Sequence, residues 1–295
     1  MADEILNEET LETEQAEEET TQTAVEEVER VEEVETIEER PVSIKEDKFG
    51  FAADMMGKSE QDLKNDTYRT YIRTFMNKVG KIFSGNSVNG EQIECAIPQI
   101  VRFTGAGICL SPIYFSVVKD IKKKTGILPV SFTVVAGYPL GVSTIKGLQA
   151  DIAECVKSGA NNITAVFPTA SVALEKVYAL KSEFVKLAKK NKKTVFGIAV
   201  NPDFPEEQLK KLLDALKGSA VENITLLADG LDAVALGRFV TTVANAKGNL
   251  KLNVFSSLST FDEVSYLIKR GADRVYTPYF ESIGEELIQQ FGVQM

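Results

Sequence analysis

Short apolar segments rich in β-branched residues alternate with longer helix-like segments from Ile93 to the end of the chain. Seven of the short segments predict strands: Ala106–Leu110, Val130–Ala136, Asn162–Phe167, Thr194–Val200, Asn223–Leu227, Lys251–Phe255 and Arg274–Thr277. The intervening segments that predict helices include Ser143–Ser158, Ala173–Lys190, Glu206–Lys217 and Thr260–Arg270. Alternation on this scale is typical of a parallel sheet with right-handed crossovers.

The number of strands favours a closed sheet. A degenerate strand near Lys78–Phe83 brings the total to eight, the number that closes a parallel β/α (TIM) barrel. A doubly wound open sheet is the alternative, but no Gly-x-Gly-x-x-Gly follows the first strand. Ser143 and Ser171 precede predicted helices and are candidate N-caps, and Gly159 follows one of them. We therefore predict an α/β fold, an eight-stranded β/α barrel, over residues 85–295.

The first residues differ from this body in charge. Residues 1–40 contain 17 acidic and two basic residues, a net charge of −15, and because the whole chain carries −10 the remainder carries +5. The apolar residues from Val25 to Ile37 recur every third position, so they spread around a helix instead of forming one face. Residues 1–45 are predicted to be a low-complexity, disordered acidic tail. The alternative is an arm that docks on, or shields, a basic surface.

Residues 46–84 are predicted to be a linker followed by an amphipathic helix near residues 60–82. Its apolar residues repeat at helical spacing, and Ser59 and Thr67 are candidate N-caps. We expect this helix to pack against the barrel and close one end. A basic face could instead receive the acidic tail or a partner, and it would carry Arg69, Arg73, Lys78 and Lys81.

Composition removes several classes of chemistry. The chain contains no histidine, which excludes Ser-His-Asp and Cys-His nucleophile systems, His-ligated metals and imidazole acid–base catalysis. Cys95, Cys109 and Cys155 lie in apolar settings without metal-ligand spacing, a pattern typical of a reduced compartment. No apolar run is long enough to span a membrane. We expect a cytoplasmic protein with no metal and no cofactor.

Three groups of residues resemble deoxyribose-phosphate aldolase in order and spacing, over roughly residues 85–285. They are Gly107-Ile-Cys-Leu-Ser-Pro112, Val134-Val-Ala-Gly-Tyr-Pro-Leu-Gly-Val-Ser-Thr144, and the Gly-Ala turns at Gly159 and Gly271. The Pro-Leu-Gly loop is the most specific match. The resemblance implies the barrel of a class I aldolase, a carbon–carbon lyase in which a lysine amine forms a Schiff base with a carbonyl substrate.

The resemblance also assigns the family's functional positions, and this chain departs from the pattern at each. The Schiff-base lysine position carries Thr225, the second lysine position carries Asn253, and the assisting aspartate position carries Thr164. The two phosphate-binding loops read Phe255–Ser259 and Thr277–Phe280, and neither contains glycine. The sequence therefore predicts a barrel of this family that lacks its catalytic residues, and it leaves open whether the chain is an enzyme.

A replacement site is a separate question. Strand alternation points Lys251, Asn253 and Phe255 into the barrel, so Lys251 is a hypothetical displaced amine; the alternative is a strand-start lysine that reaches solvent. Polar residues expected at the catalytic ends of strands are candidates for substrate binding: Asn201, Asp229, Ser256, Ser257 and Thr277. Asp203 and Asp229 could form a carboxylate pair, or each could cap a helix or turn.

The sequence leaves two candidate functions. The first is a catalytically inactive aldolase-like barrel that acts as a binding or interaction protein. Its expected partners are a small polar ligand in the barrel mouth, suggested by Thr164, Thr225 and Asn253, and a protein or a second copy of the chain. We do not expect a membrane or nucleic acid, since phosphates would be repelled by the acidic tail. The alternative is a lyase with relocated catalytic residues acting on a small aldehyde or sugar phosphate, such as 2-deoxyribose 5-phosphate.

Overall fold

Eight parallel strands form a closed barrel in which each strand pairs with the next and the last pairs with the first. The structure is a computed structural model, and it describes residues 59–83, 88–128, 130–139, 141, 144–167, 182, 184–192, 194–202 and 204–295. The strands are β1 Val79–Phe83, β2 Ile108–Leu110, β3 Phe132–Ala136, β4 Asn162–Val166, β5 Val195–Val200, β6 Asn223–Leu227, β7 Lys251–Phe255 and β8 Arg274–Thr277. The predicted α/β barrel is confirmed, with β1 lying before residue 85 and therefore within the segment expected to be linker and helix.

Helices surround the barrel. In chain order they are α1 Glu60–Met76, α2 Gly90–Phe103, α3 Phe115–Thr125, α4 Ile145–Ser158, α5 Glu206–Leu216, α6 Ala233–Ala246, α7 Phe261–Lys269 and α8 Phe280–Phe291. A 3-10 turn, Pro112–Tyr114, leads into α3, and residues 184–190 are also helical. Each crossover carries the chain back so that the next strand runs parallel to the last.

Local signals explain where several helices begin. Thr260 and Glu263 form a capping box at α7, in which the Thr260 hydroxyl accepts from the Glu263 amide and the Glu263 carboxylate accepts from the Thr260 amide. Thr144 caps α4 by accepting from the Gly147 amide, so this helix begins at Ile145, two residues after the predicted start. The neighbouring Ser143 lies outside the described residues.

The first helix differs from its prediction in length. It begins after Ser59, whose hydroxyl accepts from the Asp62 amide, and it ends at Met76 and not near residue 82. Thr67 is not a cap, because it lies inside the helix and donates its hydroxyl to the Leu63 carbonyl. The apolar period of the sequence does not reveal where the helix ends. Val79, the first residue of β1, continues that period because it is buried in the same hydrophobic cluster as the apolar face of α1.

The predicted basic face of this helix does not exist as a unit. Arg69 pairs with Asp66 at 3.3 Å and donates to the Gln294 carbonyl at 2.7 Å. Lys78 lies in the turn after the helix, and Lys81 lies in β1. The face of α1 that packs on the barrel combines buried aliphatic side chains with aromatic ones: Ile72 and Met76 are fully buried, and Tyr68 stacks on Phe291 of α8 with ring centroids 4.9 Å apart.

Two hydrophobic clusters follow from strand alternation. One lies between the strands and the helices and includes Ile224, Leu252 and Val254. The other lies inside the barrel and consists of Ile82, Ala106, Cys109, Val135, Val166, Ala199, Leu227, Phe255 and Tyr276. Because successive side chains point to opposite faces, the residue at every second strand position is committed to the barrel interior.

Asp273 ties the beginning of β8 to β7. Its carboxylate accepts hydrogen bonds from the Lys247 ammonium and, at 2.8 Å, from the Leu252 amide. Burial opposes ionisation of this carboxyl, but these donors outweigh burial and hold its pKa below the ordinary value. The stability contributed by a lowered pKa is complete above the unfolded-state pKa of about 3.9 and is lost as pH falls through the lower folded-state value.

Replacing Asp273 with asparagine is therefore expected to lower the free energy of unfolding by about 1–2 kcal/mol at pH 7, because Lys247 loses its counterion. Urea unfolding from pH 7 to pH 3 measures this loss. The difference in unfolding free energy between wild type and Asp273→Asn should stay constant above about pH 5 and become smaller below about pH 4. Asp120→Asn is the control, because Asp120 forms an exposed pair with Lys123 and its loss should cost less than about 0.5 kcal/mol. Equal stability of Asp273→Asn and wild type at pH 7 would contradict this assignment.

Some predictions fall on residues that the structure does not describe. They are the tail of residues 1–45, the linker before Ser59, the candidate cap Ser171, the early part of the helix predicted at Ala173–Lys190, and Asp203. Among the helices that the structure does describe, none is both long and apolar enough to cross a membrane.

Candidate functional site at the barrel mouth

The carboxyl ends of parallel strands meet at one end of a barrel, which is where the sequence predicts a site. Thr164, Thr225 and Asn253 are all buried, and their positions in the strand alternation direct them into the barrel. Thr225 and Asn253 are register partners on adjacent strands. The Thr225 hydroxyl is fully buried and has no hydrogen-bond partner. These inner positions are polar, and none of the three carries an amine.

An apolar layer lies above these polar residues. Val166, Leu227 and Phe255 each follow Thr164, Thr225 and Asn253 by two residues on the same strand, so they occupy the next inward positions toward the mouth. Phe255 is 1% exposed, and its ring meets that of Tyr276 edge-on with centroids 5.2 Å apart. The polar interior therefore lies beneath a packed apolar layer.

Three side chains from different loops form a hydrogen-bonded network across the mouth. The Tyr138 hydroxyl donates to Asp229, and the Ser257 hydroxyl donates to the other carboxylate oxygen of Asp229 at 3.3 Å. Tyr138 follows β3, whereas Asp229 and Ser257 follow β6 and β7, so two strands separate Tyr138 from its partner around the barrel. The Tyr138 ring also packs on the inner cluster. Asp229 thus joins loops from opposite sides of the barrel.

The other predicted substrate-binding residues have different settings. Thr277 is buried and donates its hydroxyl to the Leu258 carbonyl at 2.6 Å while it accepts from the Tyr279 amide, so it organises the turn before α8. Ser256 is fully buried, and its hydroxyl has no partner. Asn201 is half-buried at the end of β5, where its carbonyl accepts from the Phe204 amide at 3.1 Å. Of the five candidates, Asp229 and Ser257 are brought into direct contact.

Neither of the two lysines in the described strands points into the barrel interior at the mouth. The Lys251 side chain is 70% exposed at the amino end of β7, with its ammonium 4.0 Å from Asp273. Lys81 lies on the opposite face of β1 from the inward Ile82, and its ammonium contacts Glu281 of α8 at 2.5 Å and the Pro278 carbonyl at 2.7 Å. Among the strands that the structure describes, the inward positions above the amino-terminal rim contain no lysine.

The inward cysteine is not an activated nucleophile. Cys109 is completely buried in the inner cluster, and burial raises the pKa of its thiol well above the ordinary value. Burial, reinforced by Asp151 and Glu154, raises the pKa of Cys155 to about 12. Thiolate chemistry is therefore disfavoured at both positions near neutral pH.

Sequence comparison identifies relatives of this chain, although no family model matches it. The chain is 23% identical over 185 residues to the deoxyribose-phosphate aldolase of Aquifex aeolicus, covering 62% of this chain and 82% of the relative. It is 25% identical over 189 residues to deoxyribose-phosphate aldolase 1 of Mesoplasma florum, covering 63% of this chain and 84% of that protein. The predicted resemblance to the deoxyribose-phosphate aldolase family is confirmed.

Solved structures of aldolases show the same fold as this chain. The aldolase QR15 superposes with a TM-score of 0.63 at 19% identity, covering 73% of this chain and 96% of QR15. The deoxyribose phosphate aldolase of Aeropyrum pernix, described as a tetramer, superposes with a TM-score of 0.63 at 16% identity, covering 79% of this chain and 99% of the other.

The sequence predicts some residues of this barrel mouth and not others. The polar inner residues and Asp229 were expected. Tyr138 was not, although it stands in the Gly-Tyr-Pro-Leu-Gly loop that carries the family resemblance. The tyrosine in this loop was the one sign of a functional phenol in the sequence. Its partner, Asp229, becomes evident only when the barrel places the ends of β3 and β6 across the mouth from each other.

Proposed function

We propose that this aldolase-like barrel does not act as a Schiff-base aldolase and serves instead as a binding or interaction protein. The observation that supports this most directly is the pairing of Thr225 with Asn253 beneath the apolar layer of Val166, Leu227 and Phe255. A Schiff base needs an amine nitrogen that condenses with the substrate carbonyl, and neither a hydroxyl nor a carboxamide can replace it.

The environment of these inner positions also supports the proposal. An amine nucleophile at neutral pH requires a lowered pKa, commonly from burial or a second cation nearby. The Asp229 carboxylate is engaged with Tyr138 and Ser257 above the apolar layer, and it is not directed at the polar interior. An interaction role is also in line with the Aeropyrum pernix relative, which is described as a tetramer, and we include self-association in the proposal.

Incubation of the full chain with 2-deoxyribose 5-phosphate tests the catalytic half of this proposal. We expect no acetaldehyde above the protein-free control and, after reduction with sodium borohydride, no covalent adduct by mass spectrometry. Lys251→Gln is the matched variant, because its exposed side chain can be changed without disturbing the core. Turnover or an adduct in wild type that disappears in Lys251→Gln would overturn the proposal in favour of a lyase with a relocated amine.

Sedimentation velocity over a range of concentrations tests the interaction half with the same protein. Self-association predicts a sedimentation coefficient that rises with concentration toward that of a defined oligomer. A monomer at every concentration would remove self-association and leave a different partner or a small ligand as the binding function.

A further inference from the structure

The opposite end of the barrel contains a polar pocket of about 460 Å³. Its lining residues come from the beginning of all eight strands or from the residues just before them, so it is the axial opening at the amino-terminal rim. The polar residues that matter most are Lys78, Asn162, Asn223, Lys251, Asn253 and Arg274. No part of the mouth network contributes to this lining.

Three cations stand next to one another on this rim. Lys251 begins β7, Arg274 begins β8 and Lys78 immediately precedes β1, and these three strands are neighbours in the barrel. Arg274 occupies an inward position of β8, two residues before the inward Tyr276. Guanidinium and ammonium groups offer only donors, which suits an oxyanion.

The carboxylates near this rim only partly offset these cations. Asp273 accepts from the Lys247 ammonium and the Leu252 amide, and its other carboxylate oxygen lies 4.0 Å from the Lys251 ammonium. Glu222 is exposed and also lines the pocket. With Lys247 included, four cations stand near two carboxylates, so the net charge at this opening is positive.

The lining also supplies neutral hydrogen-bonding groups. Asn162 and Asn223 occupy inward positions at the starts of β4 and β6, and Asn253 lies deeper, only 7% exposed. Beyond Asn253, its register partner Thr225 carries the buried hydroxyl without a partner. The polar column thus runs from the amino-terminal opening inward as far as Thr225, and the apolar layer closes it on the mouth side.

We propose that this amino-terminal opening binds a small molecule bearing an oxyanion, a phosphate or a carboxylate, with the anion against Lys78, Arg274 and Lys251 and neutral polar atoms toward the carboxamides. A cavity that only holds water needs partners for its hydrogen bonds but no concentration of one charge. The site does not depend on whether the barrel is catalytic, because it lies at the end of the barrel away from the mouth.

Isothermal titration of the full chain with inorganic phosphate, malonate and glycerol tests this site. We expect saturable binding of at least one of the two anions and none of glycerol. The double variant Lys78→Gln/Lys251→Gln should weaken that binding at least about tenfold, since it removes two charge-assisted contacts. Both side chains are exposed, so the fold should persist, and circular dichroism and thermal unfolding verify that it does.

The matched control is Lys119→Gln/Lys146→Gln, which removes the same charge from exposed positions on α3 and α4. Its affinity should equal that of wild type, and amide chemical shifts should move at Asn223 and Asn253 on titration. An equal loss in the control, shifts confined to Tyr138 and Ser257, comparable binding of glycerol, or no saturable binding would each overturn the proposal. Aldolase turnover in the preceding assay would not affect it, so the two proposals fail separately.

Discussion

Replacing Phe255 with alanine is expected to lower the free energy of unfolding by about 3–5 kcal/mol. The side chain is 1% exposed and lies inside the barrel, where Leu227 is its register partner and the Tyr276 ring meets it at 5.2 Å. Strands of a closed barrel cannot move inward independently, so the space left by the phenyl ring remains largely empty. The loss therefore includes both the transfer free energy of the ring and the cavity that replaces it.

Urea and thermal unfolding measure this effect. For a body of this size, about 3–5 kcal/mol corresponds to a decrease in Tm of roughly 10 °C. Phe255→Leu keeps most of the apolar volume and should lose less than about 1.5 kcal/mol. Ile113→Ala, at a position 78% exposed, should change stability by less than about 0.5 kcal/mol. If Phe255→Ala proved no less stable than Phe255→Leu, the packed layer at the mouth would not exist as described.

Gly80→Ala is expected to cost about 3 kcal/mol, a large effect for one added methyl group. A Cβ on Gly80 would lie 2.4 Å from two ring carbons of Tyr276 and 3.0 Å from the Gly107 carbonyl oxygen. The ring cannot retreat easily, because it is 2% exposed inside the barrel and Phe255 packs against it edge-on. The contact lies across the β1–β8 pairing that closes the barrel, so relief requires the strands to separate.

A matched glycine provides the control for this prediction. Gly90→Ala adds the same methyl group at the start of α2, where the nearest atoms are Val117 methyls at an ordinary 3.5 Å, and it should be close to neutral. The double variant Gly80→Ala/Tyr276→Leu should lose less stability than the sum of its two single changes, since the shorter side chain vacates the clash. Strict additivity would show that Tyr276 is not the group that excludes a side chain at position 80.

Much of the fold follows from the sequence because strands buried on both faces leave an apolar pattern that needs no tertiary knowledge. β6, β7 and β8 have the bounds predicted for them. The predicted bounds are wrong where a helix and the following strand share one apolar period. The apolar period of α1 continues into β1, so the helix was extended past Asn77 and Lys81 was assigned to it, whereas Lys81 belongs to the barrel wall and faces Glu281.

The site was less predictable for a different reason. Alternation places Thr164, Thr225 and Asn253 inside the barrel from sequence alone. It does not indicate that Tyr138 reaches Asp229, because that contact joins residues 91 positions apart across the mouth. Nor does it show that Thr277 serves the turn before α8, or that the amino-terminal ends of the strands gather three cations at one opening. Contacts of this kind depend on barrel closure and on side-chain direction, which a linear pattern does not contain.

The apolar layer also bears on how such a barrel could change over evolutionary time. A single mutation of Thr225 to lysine would put an amine at a position with no exposure to solvent, beneath Leu227 and Phe255 and without a carboxylate beside it. An amine buried in this way costs several kcal/mol or loses its proton, and substrate would still have no path to it from the mouth. Schiff-base chemistry at position 225 would require the overlying side chains to shrink as well, and those changes alone destabilise the barrel. If the chain is not a Schiff-base aldolase, as we propose, mutations that place an amine at position 225 must pass through less stable proteins, which opposes their stepwise selection.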